Sequence, residues 1–229
     1  MEYQRPPVGH IADFYQLLAS CFLKTPEPRW VLGAKDAIGK LLLAGICISE
    51  LEAVFECLKE KQSLMQDYYD LMFVPQSGSY VPPYESAVAN GYYRNDGSYH
   101  YGNLASEQEA DVARYYGQLG FRWKNLDIFN PLKLIPFADH IGFELAFLGF
   151  LAYQEQAGTE DGASENAEQY RKWRSGFLTA HLGRWVSQYA DLVIVSSKSP
   201  YYRSLVGLTR ELVKLDLSSQ VLPLGVPSE

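Results

Sequence analysis

Cysteine is scarce in this chain. Three residues of 229, Cys21, Cys47 and Cys57, fall in apolar stretches, and so odd and sparse a set offers no disulfide framework of the secreted kind. Clustered positive charge is missing as well. The 20 Lys and Arg are scattered among 27 Asp and Glu, for a net charge of -7, which argues against phosphate-neutralising contacts to nucleic acid and suits a basic partner. The longest apolar run, "LLLAGICI", is far too short to span a bilayer. The opening "MEYQRPPVGHIADFY" lacks the basic-then-apolar order of a secretory signal. The expectation is a reduced, cytoplasmic protein without membrane insertion.

Catalytic signatures are also absent. "GAKDAIGKLL" has the look of a phosphate-binding loop, but five residues rather than four separate Gly33 from Gly39. Leu41 then stands where Ser or Thr must hold magnesium. There is no G-x-G-x-x-G after a strand, no C-x-x-C and no G-x-S-x-G. His10, His100, His140 and His181 show no ligand spacing, so no cofactor is expected.

What is present is helical periodicity. Ile11, Phe14, Tyr15, Leu18 and Phe22 recur at spacings of three and four. A second apolar stretch, Ile38 to Ile48, precedes Ser49, a candidate cap for a helix carrying Leu51, Val54, Phe55, Leu58, Met65, Tyr69 and Met72. Ser106 with Glu109 spells a capping box ahead of Val112, Tyr115, Tyr116 and Leu119, with Gly120 at the end. From about Phe137 to Tyr153 a helix is apolar on most sides, through Ile141, Phe143, Leu145, Phe147, Leu148, Phe150 and Ala152, and belongs in a core. Ser164 is expected to cap a helix running through Tyr170, Trp173, Phe177, Leu178, Leu182, Trp185 and Tyr189. A last helix is expected from Ser199-Pro200 through Tyr202, Leu205, Leu208, Leu212 and Leu215. No period-2 run makes a convincing strand.

The fold class is therefore all-α: a single-domain helical bundle over residues 1–229, with its core at about residues 11–215 and a loosely ordered C-terminal tail. Between Pro75 and Ser106 lies a long loop rich in Tyr, Pro and Gly, with six tyrosines. Loops beyond about 12 to 15 residues are commonly functional or disordered, and tyrosines that bury rings argue against disorder.

Two polar constellations interrupt this pattern. "VPPYES" places Pro82, Pro83, Tyr84 and Glu85 in a stiff extended path, since two prolines fix φ and donate no hydrogen bond. It reads equally well as a lid over the core or as part of a site. "ADHIGFEL" places Asp139, His140 and Glu144 at the entrance of the most apolar helix, with His140 and Glu144 on one face, where pairing raises a histidine pKa. A cap with a satisfied histidine is the plainer reading of that triplet. Phe177, His181 and Trp185 at spacing four read as core packing.

The pieces taken in order resemble the TorD/DmsD family of redox-enzyme maturation chaperones, and more distantly NarJ-type proteins. The resemblance rests on Tyr68 to Pro75, on "PPYES" at Pro82 to Ser86, and on Asp139, His140, Ile141, Glu144, Leu145 and Phe147. It continues in Phe177, Leu178, His181, Leu182 and Trp185, then Tyr201, Tyr202, Leu208 and Thr209. It spans about residues 11–215. Leu148 departs from the family's usual Met.

The resemblance implies a non-enzymatic cytoplasmic chaperone. It would bind the twin-arginine signal peptide, and often the body, of a molybdenum-containing oxidoreductase until its cofactor is inserted before export. The implied peptide-binding residues are Pro82, Pro83, Tyr84, Glu85, Asp139 and His140. Glu144 joins them from the residue chemistry, because carboxylates pair with guanidinium groups while Tyr and Phe take apolar side chains. Tyr84 and Glu85 are expected to face a cleft, with Asp139 and His140 on its opposite wall. Monomer and domain-swapped dimer are both open to such a bundle. The competing reading is a small metal-dependent hydrolase using His140, Glu144 and Asp139.

Overall fold

The computed structural model describes residues 8–26, 61–134 and 137–221. The expected apolar stretch Ile38 to Ile48, the Ser49 cap, Cys47, Cys57 and the C-terminal tail lie outside those residues. Helix α1 (Val8–Leu23) turns Ile11, Phe14, Tyr15, Leu18 and Phe22 inward, as their spacing predicts. Helix α2 (Lys61–Met72) follows the undescribed segment. A short 3-10 turn at Pro75–Ser77 then leads to α3 (Glu85–Ala89), so the proline-rich path delivers the chain into one turn and a half of helix.

The tyrosine-rich loop is not wholly irregular. Tyr92–Tyr93 (β1) and Tyr99–His100 (β2) pair antiparallel, Tyr92 opposite His100 and Tyr93 opposite Tyr99. No alternating run announces this ribbon, because each strand has only two residues. It is held from below instead: the Tyr99 hydroxyl donates to the Val88 carbonyl and accepts from Gln188 Nε2, each at 2.7 Å.

Helix α4 (Glu107–Gln118) starts at Ser106, as expected, but the Ser106 hydroxyl makes no capping bond. Its carboxylate partner Glu109 reaches across the fold and accepts from the Ala138 amide at 3.2 Å. After a 3-10 turn (Trp123–Asn125) and the single turn α5 (Asn130–Lys133), helix α6 (Ile141–Glu160) runs through the middle of the molecule. It packs along α1 on one side and α7 (Ser164–Ala180) on the other. Gly149 permits the first contact, since a Cβ there would lie 2.6 Å from Gln16 Nε2. Gln16 donates to the Ala146 carbonyl at that crossing.

Two helix boundaries differ from expectation. Ala163, not Ser164, is the residue preceding α7. The segment from Tyr170 to Tyr189 is two helices, α7 and α8 (Leu182–Ser196), broken at His181, whose φ of -121° and ψ of -102° leave the helical region. Periodicity conceals the break because the apolar spacing continues through it. Gly183 makes it possible: the chain folds back so closely that a Cβ at 183 would lie 2.5 Å from the Leu178 carbonyl oxygen. Helix α9 (Pro200–Val221) closes the bundle against α8, beginning with Pro200 as expected.

One contiguous apolar cluster joins these helices, built around Tyr15, Phe22, Phe147, Phe177, Trp185, Tyr189 and Tyr202. A buried ion network crosses it. Arg174 on α7 holds Glu155 on α6 at 3.0 Å and Asp216 on α9, and Tyr15 on α1 donates to Asp216 at 2.8 Å. Four helices meet in that network. The all-α expectation holds, with the two-residue ribbon as its one addition among the described residues. No described helix is long and apolar enough to cross a membrane.

Candidate functional site

The two polar stretches singled out in the sequence meet. Tyr84 and His140 form an isolated antiparallel bridge; the Ile141 amide donates to the Pro83 carbonyl at 2.9 Å and the Glu85 amide to the Asp139 carbonyl at 3.0 Å. Asp139 Oδ2 also accepts the Ser86 amide at 2.8 Å, supplying from another part of the chain an acceptor for the first turn of α3. The stiff proline path and the start of α6 are thus one joint.

His140 caps α6. Its Nδ1 accepts the Gly142 amide at 3.0 Å, so that nitrogen is unprotonated. Its ring lies between Tyr84, at 5.2 Å edge-on, and Phe143, at 5.5 Å. Burial pushes its pKa down to about 3. The expected rise from pairing with Glu144 therefore does not occur, because loss of hydration acts on this ring with no carboxylate close enough to offset it.

Glu144 lies one turn further into α6 and accepts from Trp185 Nε1 at 3.2 Å. Burial, with Glu85 and Asp139 nearby, drives its pKa well above the usual carboxylate range. Burial also raises Asp139, to about 6, against the opposing effect of its Ser86 bonds. Three carboxyl groups from α3, the joint and α6 thus share one corner of the core, where unpaired negative charge is expensive.

Pro82, Pro83, Tyr84, Glu85, Asp139, His140 and Glu144 are all buried. Tyr84 packs inward, against Phe137 and His140. Asp139 and His140 do not form the open wall expected of them, since their backbone is consumed in the joint and their side chains in capping. Of the seven, Glu85 lines a cavity of about 490 Å³ between α3, α4 and the α7–α8 break.

That cavity brings in residues that sequence reasoning passed over. His181, read as core, does pack at a tilt against Phe177 at 4.8 Å and meets Tyr115 edge-on at 5.4 Å. Its nitrogens, however, face carboxylates: Nδ1 is 2.8 Å from Glu85 Oε2, and Nε2 is 3.4 Å from Asp111 Oδ2. The second contact is within ion-pair reach but is not an aligned hydrogen bond, and Nε2 remains without a hydrogen-bond partner. Asp111 also pairs with Arg114 at 2.6 Å. The one available signal was "FLTAHLGRW" itself, in which Gly183 lies two residues beyond a histidine.

The comparisons with known proteins agree with this architecture. The profile of the family described as nitrate reductase delta subunit matches residues 48–191, more than half of the chain. The chain belongs to that family, one of TorD-like molybdoenzyme maturation chaperones. Among curated proteins, the selenate reductase assembly chaperone protein of Thauera selenatis is 32% identical over 90 residues, covering 39% of this chain. The matched stretch is 46% of that relative, so the chain spans about half its length.

Proposed function

We propose that this protein is a cytoplasmic chaperone that binds the twin-arginine signal peptide of a molybdenum-containing oxidoreductase and assists cofactor insertion before export. The observation that carries the reading is the joint between Pro83-Tyr84-Glu85 and Asp139-His140-Ile141. It presents the Glu85 carboxylate at the floor of a cavity large enough for a side chain of a bound peptide. A carboxylate held by a rigid backbone pairs well with a guanidinium group. In this reading Pro82, Pro83, Tyr84, Asp139, His140 and Glu144 position Glu85, and the protein acts as one unit, without a cofactor of its own. The relative's role in selenate reductase assembly supports a reductase as client.

The hydrolase alternative fares worse. His140 Nδ1 is committed to the α6 cap. Among the described residues no three His, Cys, Asp or Glu side chains are arranged to hold a metal ion.

The test is a titration of the purified protein with twin-arginine leader peptides. Binding tighter than that of a scrambled peptide supports the reading, and equal affinity for both sinks it.

A further inference from the structure

We propose that the cavity at the α7–α8 break is a guanidinium subsite, and that His181 is its internal stand-in, occupying the space between Glu85 and Asp111 until an arginine side chain displaces its interaction with them. The inference rests on the peptide-binding reading above and adds the residues and regulation of the subsite.

Three observations carry it. First, His181 is 2% exposed and faces the cavity with an unpartnered Nε2. Both its nitrogens look at carboxylates, and an imidazole can donate from both only as the cation. A planar cation with two donor edges is what a guanidinium also supplies.

Second, the lining charges almost cancel. Glu85, Glu107 and Asp111 face Arg114 and Arg184 across the cavity. A neutral His181 therefore leaves one negative charge uncompensated, and a protonated His181 leaves none. Arg114 is already engaged with Asp111, so the balance is struck at His181.

Third, the groups around the ring favour a cation in that place. Glu85 approaches from α3 and Asp111 from α4, while Tyr115 and Phe177 cover the ring's flanks. Behind Glu85, the Asp139 carboxyl adds negative potential from the joint, and Arg184 on α8 opposes it.

Arginine and the His181 proton then compete for one hole. A guanidinium therefore binds more tightly when His181 is neutral than when it is protonated.

The direct probe is Nα-acetylarginine methylamide, titrated into the full chain at about pH 5.5 and about pH 8 while the His181 ring resonances are followed by NMR. The lysine and norleucine analogues serve as controls. The expected result is a saturable His181 shift with the arginine compound, tighter at the higher pH, weaker with lysine and absent with norleucine. Asp111→Asn, at a half-exposed position, should weaken it several-fold, and His181→Gln should abolish the pH dependence as read from the ring of Tyr115. An unmoved His181 at both pH values, or equal affinity at both, overturns the proposal.

Leader-peptide titration separates this from the broader reading. Tight leader binding with an unmoved His181 removes the subsite and leaves the chaperone function. Arginine binding at His181, with leader no better than scrambled peptide, does the reverse.

Discussion

Tyr84 and His140 are bound twice, once by their backbones as an antiparallel bridge and once by their rings, 5.2 Å apart and edge to face. The pair welds the proline-rich loop to the start of the central helix. Its consequences for stability can be measured independently of any ligand.

His140→Ala should destabilise the fold, since the ring is fully buried and its Nδ1 satisfies an amide of the first turn of α6. Loss of such a cap costs about 1 kcal/mol and the cavity adds to it. His140→Asn should recover the cap component, because asparagine is among the best N-cap residues. Urea unfolding of the two variants gives the comparison. Equal destabilisation in both would mean that the ring's packing, not its nitrogen, holds the joint.

Neighbours in the joint should pull stability in opposite directions with pH. Asp139 rises from 3.8 to about 6 on folding, so its contribution is complete below pH 3.8 and is lost as pH climbs through 6, by roughly 3 kcal/mol in all. His140 falls from 6.5 to about 3. Its contribution is complete above pH 6.5 and is lost as pH drops toward 3. Between about pH 4 and pH 6 the two slopes oppose each other. Asp139→Asn should expose a stability that increases with pH across that window, and His140→Asn one that decreases. Denaturation midpoints at several pH values decide it; parallel profiles for the two variants would refute the assignment.

Glu144 extends the same reasoning to higher pH. Its native pKa lies well above 4.5, so the stability held in its neutral form drains away as pH rises through that elevated value. Glu144→Gln should keep the bond from Trp185 through its amide oxygen and gain in denaturation midpoint over the parent as pH rises. No gain at any pH would show that Glu144 is ionised in the native protein.

Arg174 should be among the least replaceable residues. Arg174→Met removes the cation that bridges buried Glu155 and Asp216, a change that costs about 3–5 kcal/mol when one partner of a buried pair is removed. Replacing its charged members together, with Glu155→Leu and Asp216→Leu added, should restore part of the loss, less the acceptor that the Tyr15 hydroxyl loses. Calorimetry of the single and triple variants is the check, and a triple variant no more stable than the single would contradict it.

The sequence made most of the helices legible because their apolar stripes repeat at three and four, as in α1 and the nearly enclosed α6. It also brought Tyr84 and His140 to notice, through prolines and through polar residues entering an apolar helix. The break at His181 was hidden for the opposite reason: the stripe through Phe177, Leu178, Leu182 and Trp185 does not falter where the backbone does. The contacts of Arg174 with Asp216 and of His181 with Glu85 span 42 and 96 residues, and no local pattern encodes them. The ribbon at Tyr92 and Tyr99 owes its form to hydroxyl bonds with Val88 and Gln188, a tertiary cause without a period.

The break has a consequence for dimensions. Unbroken, residues 164–196 would form a rod about 50 Å long, at 1.5 Å per residue. Such a rod would overhang α6, whose 20 residues reach about 30 Å. Breaking it at His181 leaves pieces of 17 and 15 residues, both shorter than α6. The cleft at Glu85 is lined by Ala180, His181 and Arg184 at that break, so the fold obtains its opening from the same turn that makes the bundle short.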